Sequence, residues 1–157
     1  MTRRSLLASC AGLFAVAFLP GIKAGAAPAY EVTHTDEEWH KLLTPDQFAV
    51  LRKAATERPY SSKLLHEERK GVFACAGCGL DLFKSETKFD SGTGWPSFWT
   101  AIDKATDTER DASFGMIRDA VNCHRCGGHL GHVFDDGPKP TGLRYCMNGV
   151  AMTVKPA

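Results

Sequence analysis

Cys75-Ala76-Gly77-Cys78-Gly79 and Cys123-His124-Arg125-Cys126-Gly127 are two copies of one unit, Cys-x-x-Cys-Gly, in a chain of 157 residues with six cysteines. Two residues between cysteines let both sulfurs converge on one ion. A glycine after the second can take the left-handed turn that brings backbone N–H groups toward the thiolates. Two such units make a tetrahedral four-cysteine site. One zinc ion is expected there in a structural role, because four protein ligands leave no open coordination position. Iron in a rubredoxin-like centre and two separate disulfides are the alternatives. A redox-active pair is a third, but it usually exposes a low-pKa thiol at a helix start, whereas each unit here follows a strand-like run. His124, His129 and His132 lie nearby, yet four thiolates already complete the shell. The 44 residues between Cys78 and Cys123 exceed zinc-ribbon spacing, so a whole segment that includes Gly92 to Phe98 is held between the two halves of the clamp.

The remaining thiols are Cys10, near the amino terminus, and Cys146. A lone free cysteine is a buried bystander, an intermolecular link or a reactive centre. Around it the sequence is rich in titratable groups. His129 and His132 are separated by Leu-Gly, which suits a bend that turns both rings into one pocket, and Asp135 and Asp136 follow. Arg144 and Asn148 lie two residues to either side of Cys146, so on a strand all three share a face. A cation there favours the thiolate, the nucleophilic form. Each group also has a plain structural reading, and spacing alone leaves both open.

The elements that must position these groups differ along the chain. Trp39, Leu42 and Leu43 fall at helical spacing on one face. Thr44-Pro45-Asp46-Gln47 then combines a capping Thr, a first-turn Pro and a Gln at the third position, with Phe48, Leu51 and Ala55 as the apolar stripe. This helical arm should end near Arg58-Pro59, since the residue before Pro is pushed out of helical geometry. Beyond residue 70, short apolar or alternating runs at 72–75, 80–83, 114–122, 131–134 and 144–154 are punctuated by Gly, Pro, Asp and Asn, as in antiparallel strands. One mainly β domain, residues 35–157, is expected behind a tether at 27–34.

Residues 1–26 read as a cleaved export signal. Arg3-Arg4 precedes an apolar run from Leu6 to Leu19, too short for the ~20 residues that span a bilayer, and Ala24-Gly25-Ala26-Ala27 offers a cleavage site. The paired arginines resemble a twin-arginine signal and imply export to a bacterial periplasm. Leu7-Ala8-Ser9-Cys10 also looks like a lipoprotein box, but most of the apolar stretch follows Cys10. Without residues 1–26, 16 of the 19 basic side chains remain against 18 acidic ones, a net −2 with no basic cluster. That excludes a nucleic-acid footprint.

Ser91-Gly92-Thr93-Gly94-Trp95-Pro96-Ser97-Phe98, the run His129 to Pro138 and Arg144-Tyr145-Cys146-Met147-Asn148 together resemble the peptide methionine (R)-S-oxide reductases, the B-type methionine sulfoxide reductases. Both Cys-x-x-Cys-Gly units fit the zinc-containing members. The likeness covers roughly residues 36–155. It implies two antiparallel sheets with zinc at one end and helices at the other, acting as a monomer on oxidised proteins or peptides. It further implies that Cys146 is the nucleophile, with His129 and His132 positioning and protonating the sulfoxide. Asp136, Arg144 and Asn148 would form the polar network, and Trp95 with Phe98 the substrate-binding wall. An indole face suits a polarizable sulfur and methyl. Many members carry a resolving cysteine where this chain has Thr93. Recycling of Cys146 is therefore expected from an external thiol or dithiol of thioredoxin type. A non-catalytic zinc-ribbon module and a thiol–disulfide oxidoreductase are the competing functions.

Overall fold

The computed structural model describes residues 30–157. The expected signal at 1–26, with Cys10, and the start of the tether lie outside the described residues. The described part of the tether is docked: the Val32 N–H donates to the Arg125 carbonyl at 3.0 Å, and the His34 ring meets the edge of Trp39.

Two short helices, α1 (Asp36–Leu42) and α2 (Pro45–Lys53), open the domain. Each starts with a reciprocal capping box, Thr35 with Glu38 and Thr44 with Gln47, which satisfies two otherwise orphaned N–H groups per helix. Trp39 and Leu43 face the core as expected, but Leu42 points to solvent at 59% exposure. The arm stops earlier than the proline implied. Ala54 takes a left-handed cap (φ 52°, ψ 34°), and residues 55–58 run on without helix. Among the described residues no helix is long and apolar enough to cross a membrane.

The β body has two antiparallel sheets, as expected. Strands β1 (Gly71–Cys75), β2 (Asp81–Lys84) and β9 (Met152–Pro156) form one, in the order β2-β1-β9. The other is six-stranded, β3-β4-β8-β7-β6-β5. It comprises β3 (Lys88–Phe89), β4 (Ser97–Phe98), β5 (Thr106–Asp111), β6 (Arg118–Cys123), β7 (His129–Phe134) and β8 (Arg144–Met147). The expected run 144–154 is split between the sheets by a 3-10 turn at Gly149–Ala151. β5, Thr-Asp-Thr-Glu-Arg-Asp, has no apolar residue to betray it. It is an edge strand, where charge guards against pairing with another chain.

Core aromatics join the sheets. Phe98 of β4 stacks on Phe83 of β2 with centroids 4.4 Å apart and meets the edge of Phe73 of β1 at 4.9 Å. Phe73, Phe83, Phe98, Leu130, Val121 and Met147 are fully buried. The helices do not sit opposite the cysteines, contrary to the expectation. Arg52 of α2 donates from Nη1 to the Cys126 carbonyl at 3.0 Å, while its guanidinium lies over Trp39 of α1, 4.9 Å from the ring centre. The arm thus braces the four-cysteine end.

Candidate active site and metal centre

Cys75 ends β1 and Cys123 ends β6, one in each sheet, and the two turns that follow are built alike. Gly79 (φ 71°) donates its N–H to the Cys75 carbonyl at 2.8 Å, and Gly127 (φ 66°) does the same to Cys123 at 2.8 Å. Those left-handed conformations explain the glycine after each pair. The four sulfurs lie within 4.8 Å of one another, with Cys75–Cys126 at 3.7 Å and Cys78–Cys123 at 3.5 Å. A tetrahedron with metal–sulfur bonds near 2.3 Å has edges of roughly 3.8 Å, so the four thiols can hold a metal ion. His124 plays no part: its ring contacts the Asp107 carboxylate at 2.9 Å on the surface. His129 and His132 lie in the cleft described next.

The second site follows from strand register. In antiparallel pairs, directly opposed residues point to the same face. Ser97 opposes Cys146, Cys146 opposes His132, His132 opposes Ala120, and Ala120 opposes Glu109. One row across five strands therefore carries the thiol and an imidazole side by side. His129, three residues from His132, would face the other way in a regular strand. A register shift between Val121 and Asn122 pairs His129 with Asn122 and leaves Leu130 as the extra residue. Both rings are thereby brought together, 5.3 Å apart. The expected bend is this bulge.

The same parity assigns Phe98 to the core. Because Ser97 opposes Cys146, Phe98 opposes Tyr145, and both aromatics point to the inter-sheet side, where Phe83 packs against each. Phe98 does not line the cleft, so the expected substrate contact is not what its position provides. Trp95 does: its Nε1–H donates to the Glu57 carbonyl at 3.1 Å, which fixes the indole as one wall. Trp95, Gly131, His132, Phe134, Cys146 and Asn148 surround a cleft of about 120 Å³. A small-molecule pocket usually has about 300–1,000 Å³, so this cleft suits a single side chain. Thr56, Arg118 and His132 also border an adjoining basin of about 550 Å³ that reaches His129.

Asn148 is a clamp. Its Nδ2 donates to the Leu130 carbonyl at 3.1 Å, and its Oδ1 accepts from the Glu57 N–H at 3.0 Å. Asp136 lies on the surface and binds Arg144 through both oxygens, at 2.8 and 2.9 Å. Phe134 covers the guanidinium at 4.4 Å, so Arg144 is held from two sides. Its charge does favour ionisation of Cys146, as does the hydrogen bond from Thr93. Burial outweighs both and raises the Cys146 thiol above its ordinary value. The expected pull of Arg144 toward the thiolate is therefore present, but a nearby cation reduces the desolvation penalty without cancelling it.

Three groups escaped the sequence reading. Asp111 contacts His132 Nε2 at 2.9 Å and accepts from Arg118 at 2.9 Å. Hydrogen bonds from Ser113, then those from His132 and Arg118, hold its carboxyl well below the usual range. Asp111 and Arg118 are opposed across β5 and β6, a pairing that the all-polar sequence of β5 does not announce. Glu57 accepts from the N–H groups of Gly149 and Val150 and so fastens the residues after Cys146 to the helical arm. Burial raises its carboxyl despite those bonds. Both contacts span over ninety residues, beyond any local signal.

His129 is 8% exposed, and among the described residues its Nε2 has no hydrogen-bond partner. Burial first, and the neighbouring His132 second, lower its pKa from 6.5 to about 4. A histidine that stays neutral in the fold but protonates in the unfolded chain costs stability as pH falls from about 6.5 to about 4. By pH 4.5 the loss is about 2–3 kcal/mol. Urea unfolding at pH 7 and 4.5 should therefore show a larger acid loss for the wild type than for His129→Asn; equal losses would contradict the assignment.

Residues 43–156 match the family model described as the SelR domain. The chain is 55% identical over 127 residues to the peptide methionine sulfoxide reductase MsrB of Bradyrhizobium diazoefficiens, covering 80% of this chain and 91% of that one. It is 54% identical over 125 residues to the MsrB of Methanosarcina barkeri (79% and 88% covered). With the MsrB of Leptospira interrogans it shares 50% over 124 residues (78% and 95% covered).

Proposed function

The chain belongs to the SelR domain family of methionine sulfoxide reductases, and on that footing we propose that it reduces the R epimer of methionine sulfoxide in proteins and peptides. The observation that carries this reading is the placement of Cys146 opposite His132, at a cleft walled by Trp95. The cleft admits a side chain. Trp95 receives the S-methyl group, and the sulfoxide sulfur faces Cys146. As the Cys146 thiolate attacks that sulfur, the sulfoxide oxygen takes a proton relayed through His132 and His129. Methionine leaves, and Cys146 becomes a sulfenic acid; the cysteine sulfur is oxidised by two electrons as the methionine sulfur is reduced by two. Arg144, fixed by Asp136, steadies the anionic sulfur, and Asn148 keeps the strand ends in place.

Two external thiols, or one dithiol of thioredoxin type, then reduce the sulfenic acid and release water. Thr93 at the usual resolving position, and four thiols committed to the other site, favour this route over an internal disulfide. That other site holds zinc in our reading. Cys75, Cys78, Cys123 and Cys126 close its coordination, so the ion supplies cohesion between the sheets and takes no part in the reaction. Residues 1–26 direct the folded, metal-loaded protein to the periplasm, which spares four thiols from oxidation before metal binds.

Assays on the separated sulfoxide epimers of a methionyl peptide, with dithiothreitol as reductant, test the reading. Turnover of the R epimer alone is expected. Turnover of the S form at a similar rate, or of neither, would overturn it.

A further inference from the structure

Three hydroxyls form a chain that ends on the reactive sulfur. Ser97 Oγ lies 2.7 Å from Ser91 Oγ, which lies 2.9 Å from Thr93 Oγ1, which lies 3.7 Å from Cys146 Sγ. At the far end Ser97 Oγ also reaches the Trp95 carbonyl, at 3.1 Å. Each hydroxyl has a single proton to donate, so the chain has two consistent polarities. With Cys146 protonated, the thiol donates to Thr93, Thr93 to Ser91, Ser91 to Ser97, and Ser97 to the carbonyl. A thiolate has no proton and only accepts. The order then reverses, with Ser97 donating to Ser91, Ser91 to Thr93 and Thr93 to the sulfur, while the Trp95 carbonyl gives up its donor. A hydrogen bond to an ion is roughly twice as strong as a neutral one, so the second polarity favours the charged sulfur.

We propose that Thr93 is a further catalytic residue, donating a hydrogen bond from its hydroxyl to the Cys146 thiolate while Ser91 and Ser97 hold it in that orientation. The inference rests on Cys146 being the nucleophile. It gives the residue that replaces the resolving cysteine a positive task.

Bonds that involve none of the three hydroxyls also hold the loop. Asp90 Oδ1 accepts the Gly92 N–H at 2.9 Å, the Tyr60 hydroxyl donates to the Gly92 carbonyl at 2.9 Å, and the Tyr60 N–H donates to the Gly94 carbonyl at 2.7 Å. Other groups around the sulfur are accounted for. Arg144 on β8 is engaged by Asp136, and His132 on β7 contacts Asp111, which also binds Arg118. Glu57 turns its carboxylate to Gly149 and Val150, and Asn148 is neutral. Thr93 is thus the uncharged donor whose hydroxyl reaches the sulfur, at 3.7 Å, and the loop has other bonds to hold it.

The test is the pH dependence of Cys146 alkylation by iodoacetamide in the metal-loaded protein, followed by mass spectrometry of the Cys146 peptide. In Thr93→Val, which keeps the side-chain shape, the midpoint should rise by about one pH unit and alkylation at pH 7 should slow about tenfold. Ser91→Ala, which does not touch the sulfur, should raise it by about half as much; Thr93→Ser should stay near the wild type. Midpoints unchanged within about 0.2 unit in Ser91→Ala and in folded Thr93→Val would overturn the proposal; if Thr93→Val does not fold, Ser91→Ala alone decides. Alkylation needs no sulfoxide turnover. An inactive wild type with the expected shifts would refute the assigned reaction and keep the donor, whereas an active wild type with no shifts would refute the donor alone.

Discussion

Replacing Cys146 by Ser should abolish methionine sulfoxide reduction, by about a thousandfold or more, while leaving fold and metal content unchanged. A serine hydroxyl is almost fully protonated at neutral pH and cannot pass through a sulfenic acid, so neither attack nor oxygen transfer remains. The structural cost is small. Cys146 is only partly buried, lies beside a hydroxyl that can bond to its replacement, and is not one of the four clustered cysteines. Steady-state assays with circular dichroism and metal analysis of the same sample check this. A Cys146→Ser protein with substantial activity would refute the nucleophile, and one that unfolds would mean that the thiol holds the fold.

The second large effect concerns the metal centre. Cys75→Ser, or chelation of the zinc proposed there, should unfold the domain. The site joins the end of β1 in one sheet to the end of β6 in the other and carries the helical arm through Arg52 and the Cys126 carbonyl. Apparent binding free energies of structural zinc in small domains are about 10–16 kcal/mol, against a total stability of about 5–15 kcal/mol for a typical domain. Loss of one ligand also leaves buried thiols without their ion. Near-ultraviolet circular dichroism during titration with a strong chelator should lose its signal as metal is released; a metal-free protein with an unchanged unfolding midpoint would contradict a structural role.

The four-cysteine site is legible in the sequence because its ligands come as two local pairs with their glycines, and β strands leading into each pair fix where they end. Cys146 is legible as the remaining thiol of the proposed mature chain, and the sharing of one face by Arg144 and Cys146 needs only the strand period. What the sequence hides is set by long-range pairing. Nothing local says that Ser97 opposes Cys146, and so a two-residue strand leaves the direction of Phe98 undetermined. The bulge that unites His129 and His132 exists only against β6, and Asp111 enters the site on a strand with no apolar residue at all. Arg144 shows a different limit. Its proximity to the thiol is readable, but the burial that outweighs its charge depends on everything packed around Cys146.

The most direct measurement is a single turnover without reductant. Enzyme mixed with an excess of the R epimer should form one methionine per chain, and Cys146 should gain one oxygen that a sulfenic-acid trap captures, with no disulfide from Cys146 to any cysteine of the chain. No methionine formed, an unmodified Cys146 after its formation, or a disulfide to Cys75, Cys78, Cys123 or Cys126 would contradict oxygen transfer to a lone thiol.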